Sequence, residues 1–325
     1  MERKLATVVK IDSIDGIPKA DSLEVASIKG WKSVIKKGAF KEGDLAIYFE
    51  VDSFLPNREE YAFLGSLKKM QLEDGSTILG HPLTTVKLRG QLSQGLLMPI
   101  SLLNREVLEG EDVTEELGIR LYEKPLPDSI KSAASGYRTK LIPSTSLERV
   151  QNVDEGLLLD IVSTSSFQTT EKLDGTSATY YRSGDAFICA SKNLEFLPTA
   201  DTVWNNIARE YDLESKVENL IAISGEIIGP KIQNNPYKLD ELQFYVYSVY
   251  DMNRAVYLDS VKYCEKHCLP HVPVLFTPDF SSKEELVEMA NGMSTLSPVK
   301  REGIVLVHPE LRVKAISNKY LLKRK

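Results

Sequence analysis

In the first hundred residues, short apolar-rich segments, of which some alternate apolar and polar positions, are bounded by Gly, Pro or Asp. Their many β-forming residues and the regular turn signals between them predict β-strands. The segments cover residues 5–11, 23–29, 45–51, 85–88 and 95–99. About five strands at this spacing favour a small closed barrel of the OB type, with a β-sandwich as the alternative.

Beyond residue 140 the pattern mixes strand and helix periods. Ser282 and Glu285 fit a helix capping box, and Asp201 is a predicted N-cap. After Asp201, apolar residues recur at helical spacing: Trp204, Ile207, Ala208 and Tyr211. Strands are predicted at 177–181, 221–227, 244–250 and 303–307. This half is therefore expected to be an α+β domain.

Between the two halves, from 125 to 136, apolar periodicity disappears and small polar residues dominate, which is typical of a linker. We therefore expect an OB-type domain at 1–120, a linker at 121–139 and the α+β domain at 140–325. The whole chain is then of the α+β class.

Composition narrows the possible classes of protein. The 325 residues have a net charge of −6, which argues against coating nucleic acid by bulk charge but leaves room for a local basic groove. Lysines are dense at 29–37 and from Lys314 to the C-terminus, although a charge run is as often a solvated face. Three cysteines, no signal-peptide core and no long apolar run predict a cytoplasmic protein with reduced thiols and no membrane association.

The sharpest chemical signal is the segment Glu171-Lys172-Leu173-Asp174-Gly175, just before a predicted strand. A lysine amine attacks an electrophilic phosphorus once it is unprotonated. An aspartate two residues later could hold a metal that neutralises a leaving phosphate, and the glycine would let the backbone approach a nucleotide. Taken alone, such a string is usually a surface turn.

Four further segments follow in a fixed order. They are Ser224-Gly225-Glu226-Ile227, the aromatic run 244–250, Glu302-Gly303-Ile304-Val305, and 313–320 around Lys314. In this order the set resembles the motifs of covalent nucleotidyltransferases, the class that contains ATP-dependent ligases and mRNA capping guanylyltransferases. The resemblance covers nearly all of residues 140–325 and implies antiparallel sheets with helices in this domain.

The position of the extra domain indicates which family of covalent nucleotidyltransferases the chain resembles. DNA ligases and capping enzymes carry an OB domain after the last lysine motif, but only eleven residues follow Lys314 (325 − 314 = 11). The predicted OB domain instead precedes the nucleophile. This arrangement, with the segments 18–25, 43–49 and 88–96, resembles the Naegleria-type ATP-dependent RNA ligases. The resemblance implies an RNA repair enzyme that seals 3′-hydroxyl and 5′-phosphate ends, expected as a monomer acting on nicked duplex RNA.

The resemblance also implies roles for individual residues. Lys172 would be the nucleophile that carries AMP, and Lys314 would contact the α-phosphate. Carboxylates would surround Mg²⁺ or Mn²⁺, partly through water: Asp174, Glu226 and Glu302. The remaining ATP-binding residues would be Glu171, Arg149, Lys192, Tyr247, Lys319 and again Glu226, with Tyr247 stacking on adenine. The N-terminal domain would bind RNA through its lysines and Trp31.

Several alternatives remain open at this stage. Many relatives carry a second lysine where this chain has Ile316. Either Lys319 compensates for it or phosphate binding is arranged differently, and Lys319 is equally well read as a solvated side chain. Lys192 stands where relatives often have arginine, and Tyr247 could simply be a core aromatic. A zinc site is conceivable at Cys264, His267, Cys268 and His271, but Pro270 should end the helix before His271 and the resembling family has no zinc there. A DNA ligase, a capping enzyme and a non-catalytic RNA-binding protein are the rival functions.

Overall fold

The computed structural model describes residues 3–65, 67–72, 76–123, 125, 127–164 and 167–323. Residues 124 and 126 of the expected linker, and the last two residues of the basic tail, lie outside this part of the chain. The chain divides into two compact units, with the boundary between Leu126 and Pro127. No helix in the described ranges is long and apolar enough to cross a lipid bilayer.

The N-terminal unit is built almost entirely from short strands. They are β1 (Ala6–Lys10), β2 (Ser13–Gly16), β3 (Leu23–Ile28), β4 (Trp31–Lys36), β5 (Leu45–Phe49), β6 (Ser53–Pro56), β7 (Lys68–Gln71), β8 (Thr77–Pro82), β9 (Val86–Leu88), β10 (Gln91–Ser93), β11 (Leu96–Pro99) and β12 (Arg120–Leu121). Helix α1 (Thr114–Leu117) and two short 3₁₀ segments complete it. The strands pair in the orders β1-β5-β11, β2-β3-β4, β9-β10 and β12-β6-β8-β7.

The five predicted strands are confirmed, and β4 shows why others were missed. Its lysine-rich sequence reads as a charge run, yet its side chains alternate between core and solvent. Lys32 and Lys36 face outward, whereas Trp31 is 2% exposed and packs in an apolar cluster with Ile28 and Tyr48. The expectation that Trp31 contacts RNA is therefore wrong, because the indole is enclosed by the core.

The second unit contains helices and two main sheets. Its elements are α2 (Asp128–Ala133), β13 (Ala134–Tyr137), β14 (Glu148–Arg149), α3 (Glu155–Thr164), β15 (Gln168–Lys172), β16 (Thr176–Ser183), β17 (Ala186–Ala190), β18 (Leu194–Phe196), α4 (Val203–Glu210), α5 (Leu213–Lys216), β19 (Ile221–Ile228), β20 (Gln243–Asp251), β21 (Val256–Leu258), α6 (Ser260–His267), α7 (Lys283–Met289), β22 (Gly303–Val307), β23 (Arg312–Ile316) and α8 (Asn318–Leu321). One sheet has the order β13-β18-β17-β16-β19-β20-β21, and the other has the order β14-β23-β22-β15.

The segment expected to be a linker is partly ordered structure of the second unit. Helix α2 leads into β13, which pairs with β18. Ile130, Ala133 and Ala134 pack against the main apolar core of the unit. Tertiary packing therefore stabilises a segment whose own apolar pattern is too weak to predict it.

The helix caps agree only in part with the expectation. Ser282 is the N-cap of α7, and its hydroxyl accepts the Glu285 N–H at 3.3 Å. In α4 the N-cap is Thr202 rather than Asp201, and it accepts the Asn205 N–H at 3.2 Å. Both hydroxyls satisfy N–H groups that the first helical turn leaves without backbone partners.

The cysteine and histidine side chains of α6 and its C-terminal end do not form a zinc site. Cys264 is buried in the core, and Cys268 is the left-handed residue that ends the helix. His271 instead contacts the Ser260 hydroxyl and the Val272 carbonyl through its two ring nitrogens. Within the described residues, no three His, Cys, Asp or Glu side chains are arranged to ligate a metal directly.

Candidate active site

Lys172 and Glu302 form the centre of the site. Lys172 ends β15, and its backbone is paired with Gly303 at the start of the antiparallel neighbour β22. This register brings the two side chains together, and the Lys172 Nζ donates to the Glu302 Oε2 at 2.8 Å. The sequence-based pairing of these two motifs at one site is thus realised in the fold.

Glu226 reaches the same place from the other sheet because Gly175 leaves room for its strand. A Cβ atom on Gly175 would stand 2.3 Å from the Ile227 carbonyl oxygen and 2.8 Å from the Glu226 Cγ. The glycine therefore allows β16 and β19 to approach each other beside Lys172. Its structural role is close strand packing, which differs from the backbone approach to a nucleotide expected from the motif.

Asp174 is buried and held by two tyrosines. Its backbone N–H donates to the Tyr237 hydroxyl oxygen at 2.8 Å, and the Tyr320 hydroxyl donates to its Oδ2. Tyr237 is itself buried, in an apolar cluster with Leu173. The turn between Lys172 and Gly175 is therefore fixed by packing and hydrogen bonds, so it is not a loose surface loop.

The acidic groups and the lysine shift one another's pKa. Burial lowers the Lys172 pKa, but the negative charges of Glu302, Glu226 and Asp174 outweigh it, so the net pKa is raised. Burial, together with the neighbouring carboxylates, raises the Glu226 pKa to about 8, although Lys172 opposes this shift. The site therefore favours an ammonium group at Lys172 and has a carboxyl group that titrates near neutral pH.

These carboxylates suit a hydrated cation better than a fully ligated one. Their combined charge acts on Lys172, yet no direct three-ligand geometry exists in the described part of the chain. Mg²⁺ characteristically keeps several waters and binds through one or two carboxylates plus substrate phosphates. Asp174, Glu226 and Glu302 fit that mode of binding.

Lys314 lies on β23, between β22 and β14. It pairs with Val305 on one side and with Arg149 on the other. Lys314 lines the cavity next to Lys172, whereas Arg149 lies on the adjacent strand and does not line it. Of the two cations paired in this ladder, Lys314 therefore faces the cavity and Arg149 does not.

Lys319 does not line this cavity. Its ammonium group contacts the Glu288 carboxylate at 3.2 Å, and both side chains are largely exposed. The expectation that Lys319 binds ATP or replaces the cation absent at Ile316 is not supported, because α8 turns it toward Glu288. Ile316 is buried against the neighbouring strand.

Tyr247 lines the same cavity and donates or accepts a hydrogen bond with the Ser177 hydroxyl at 2.7 Å. Its ring also packs against the cluster of Leu173 and Tyr237, so it combines a core contact with a cavity surface. Six predicted residues line this cavity: Glu171, Lys172, Lys192, Glu226, Tyr247 and Lys314. Six of the ten site residues predicted from the sequence therefore line one concave site.

Glu171 is 1% exposed, and only one of its two carboxylate oxygens has a hydrogen-bond partner within the described residues. Its Oε2 accepts from the Thr295 backbone N–H and hydroxyl at 2.9 and 3.0 Å. Its Oε1 is buried and has no hydrogen-bond partner within the described residues. A buried acceptor of this kind can take a donor from a ligand, because leaving it unpaired is costly.

Other lining residues were not predicted. Arg312, two positions before Lys314 on the same face of β23, stacks over the Tyr257 ring with its guanidinium carbon 3.7 Å from the centroid. The loop 142–147 forms another wall. The period of two along β23 could have identified Arg312, but the approach of Tyr257 and the loop depends on tertiary packing.

Comparison with known proteins agrees with this architecture. A family model described as an OB-fold domain matches residues 5–100, and one described as RNA ligase matches residues 165–325. Among solved structures, a mutant of Naegleria gruberi RNA ligase with ATP and Mn is 35% identical, with a TM-score of 0.83, over 98% of this chain and 99% of that chain. Another mutant, with AMP and Mn, is 36% identical with a TM-score of 0.82, over 99% of both chains. No curated protein matches.

The fold and the lysine-centred cavity therefore define a ligase class, in which an OB-fold domain precedes the ligase domain. The chain belongs to the RNA ligase family, in the group typified by the Naegleria gruberi enzyme. The Naegleria enzyme is also known in a structure with PPi, at 35% identity and a TM-score of 0.80 over 99% of each chain. The expected fold class is confirmed.

Proposed function

We propose that this chain is an ATP-dependent RNA ligase that joins 3′-hydroxyl and 5′-phosphate ends through a lysyl-AMP at Lys172. The observation that carries the proposal is the position of Lys172 in a cavity with Glu226, Tyr247 and Lys314, in contact with Glu302. The related Naegleria structures hold ATP and Mn in one case and AMP and Mn in another, which supports these as ligands here.

ATP would occupy the cavity with its base near Tyr247. The Tyr247 ring would stack on adenine, and the unpaired Glu171 Oε1 would accept a hydrogen bond from the base. Lys314 would neutralise the α-phosphate, and the exposed Lys192 at the cavity wall would act as a second point charge. Arg149, which does not line the cavity, would contribute through Lys314, its partner on the neighbouring strand.

A divalent cation would bind in hydrated form near Asp174, Glu226 and Glu302. When bound, it would supply positive charge that neutralises phosphate oxygens and weakens the hold of the carboxylates on the Lys172 proton. Because the Lys172 pKa is raised, the amine is held protonated and must lose a proton before it can attack.

The chemistry would then proceed in three transfers. The Lys172 ammonium group loses a proton to solvent, its Nζ forms a bond to the α-phosphorus of ATP and gives up a second proton, and the bond to pyrophosphate breaks. An oxygen of the RNA 5′-phosphate attacks the same phosphorus, which releases the lysine and leaves AMP on the RNA end. The RNA 3′-hydroxyl attacks the 5′-phosphorus, loses its proton, and AMP departs. Positioning and charge neutralisation carry most of the catalysis of such transfers.

Labelled ATP tests the covalent step directly. Wild-type protein with Mn²⁺ should retain the label after denaturation, and Lys172→Ala should not. Lys262→Ala is the matched control, since Lys262 is an exposed lysine that pairs with Asp259 away from the cavity. Equal labelling of wild type and Lys172→Ala would remove the proposed mechanism.

The nature of the substrate ends needs a second experiment. Matched duplex nicks that differ only in the sugar of the 3′-hydroxyl strand should be sealed much faster when that strand ends in RNA. We propose that the OB-fold domain, at 1–120, binds RNA through outward lysines such as Lys32 and Lys36. Sealing of both nicks at equal rates would favour a ligase without RNA preference.

A further inference from the structure

We propose that Tyr320 is a positioning residue that holds the Asp174 carboxylate in the orientation needed for metal-assisted adenylylation of Lys172. The Tyr320 hydroxyl donates a hydrogen bond to the Asp174 Oδ2, across 146 residues of sequence. None of the motifs in the sequence assigns a role to this tyrosine. The inference rests on the proposed function and extends it to the last helix.

The backbone next to Asp174 is fixed by hydrogen bonding and packing, and the Tyr320 hydroxyl acts on the side chain. The Asp174 N–H is bonded to the Tyr237 hydroxyl oxygen, and Leu173 is 3% exposed in the cluster that contains Tyr237. A carboxylate can still rotate about its side-chain torsions. A phenol that donates to one oxygen restricts this rotation, as outer hydrogen bonds do for carboxylates at metal sites.

Tyr320 is brought to Asp174 by a firmly anchored turn. The buried Ser317 donates its N–H to the Glu302 carbonyl oxygen at 2.8 Å and its hydroxyl to the Asn291 Oδ1 at 2.7 Å. The Ser317 hydroxyl also accepts the Tyr320 N–H at 3.0 Å, which makes it the N-cap of α8. One turn therefore contacts the motifs of two acidic residues, Glu302 through backbone and Asp174 through a side chain.

The same turn places no cationic side chain in the acidic cluster at residues 316 and 319. Ile316 is buried, and Lys319 is directed to Glu288. The turn thus contributes a neutral hydroxyl group to the acidic cluster. A neutral donor can orient a carboxylate without competing with a metal for its negative charge.

Tyr320→Phe removes only the hydroxyl, and Tyr263→Phe is the matched control. Tyr263 donates its hydroxyl to the Lys216 carbonyl at 3.2 Å in another part of the domain. We expect Tyr320→Phe to slow lysine adenylylation by about tenfold at saturating ATP and to raise the half-saturating Mn²⁺ concentration by a similar factor. The midpoint of thermal unfolding should decrease only slightly, and by a similar amount, in both variants.

A binding measurement provides a readout that does not need turnover. In a Lys172→Ala background, calorimetry gives the ATP affinity with and without Mn²⁺. The gain in affinity due to Mn²⁺ should shrink by about tenfold when Tyr320→Phe is added and should stay unchanged with Tyr263→Phe. Affinity without Mn²⁺ should be the same in all three proteins.

The outcomes separate the two proposals. If wild type labels with ATP while Tyr320→Phe matches it in rate, Mn²⁺ dependence and affinity gain, the positioning role is overturned and the ligase proposal stands. If wild type does not label at all, the proposed function itself fails. Equal loss in both the presence and absence of Mn²⁺ would show a general packing role and would also overturn the inference.

Discussion

The Lys172 ammonium group and the Glu302 carboxylate are separated by 130 residues of sequence and by 2.8 Å in space. They meet because β15 and β22 pair antiparallel, with Lys172 opposite Gly303. The ion pair holds the lysine in its charged form, which cannot attack phosphorus. The site therefore keeps the proposed nucleophile protonated, and a change of charge near Lys172 is needed to activate it.

Replacing Glu302 with glutamine should shift the pH dependence of adenylylation. The Glu302 charge is the strongest of the influences that raise the Lys172 pKa, so its removal lets burial lower that pKa. The rising limb of the rate, measured by label incorporation between about pH 6 and pH 10, should move to lower pH. The maximal rate should also fall, because the variant loses a charge that we propose helps to hold the metal. Glu218→Gln, at an exposed pair with Lys266, should leave the profile in place.

Replacing Glu226 with glutamine should change how stability depends on pH. The folded-state pKa of Glu226 is about 8, raised from 4.5, so the folded protein retains this proton where the unfolded chain has lost it. Its stabilising contribution is complete below the unfolded pKa and is lost as the pH rises through the folded pKa. As the pH rises from about 5 to about 9, wild type loses this contribution and Glu226→Gln does not. The free energy of unfolding of the variant should therefore rise relative to that of wild type, by on the order of 2 kcal/mol after solvent screening. Urea unfolding at both pH values measures this, and a constant difference would contradict it.

Replacing Gly175 with alanine should separate two strands at the site. The new Cβ would lie 2.3 Å from the Ile227 carbonyl oxygen, which is backbone and cannot move aside cheaply. We expect a loss of about 1–3 kcal/mol in unfolding free energy and a larger loss of adenylylation, since Glu226 is displaced. Gly136→Ala is the control, because open space surrounds its Cβ position. Normal labelling by Gly175→Ala would show that the strand spacing is not critical.

The two lysines of the last motif should behave differently. Lys314→Ala should lower adenylylation by about a hundredfold, because Lys314 faces the cavity beside Lys172. Lys319→Ala should change it less than about twofold, since an exposed ion pair with Glu288 contributes little. Comparable losses in both variants would indicate that α8 moves Lys319 to the nucleotide during the reaction.

The sequence by itself determined five of the strands described in the N-terminal domain and the five motifs of the ligase domain. The β-forming side chains of a segment and the glycine and turn residues that bound it are local properties, which is why β1, β3, β5, β9 and β11 were predictable. The amine of Lys172 and the carboxylates of Glu226 and Glu302 can be recognised as candidate reactive groups from the sequence alone. Their order along the chain was enough to predict one shared site.

Only the tertiary structure decided which side chains meet. Lys32 and Trp31 are adjacent in sequence, yet one faces solvent and the other the core. Lys314 and Lys319 are equally charged, but the start of α8 turns the second toward Glu288. Tyr320 reaches Asp174 across 146 residues through packing that no local pattern encodes. Contacts between distant segments depend on strand register and on packing of the core, and a single sequence expresses neither directly.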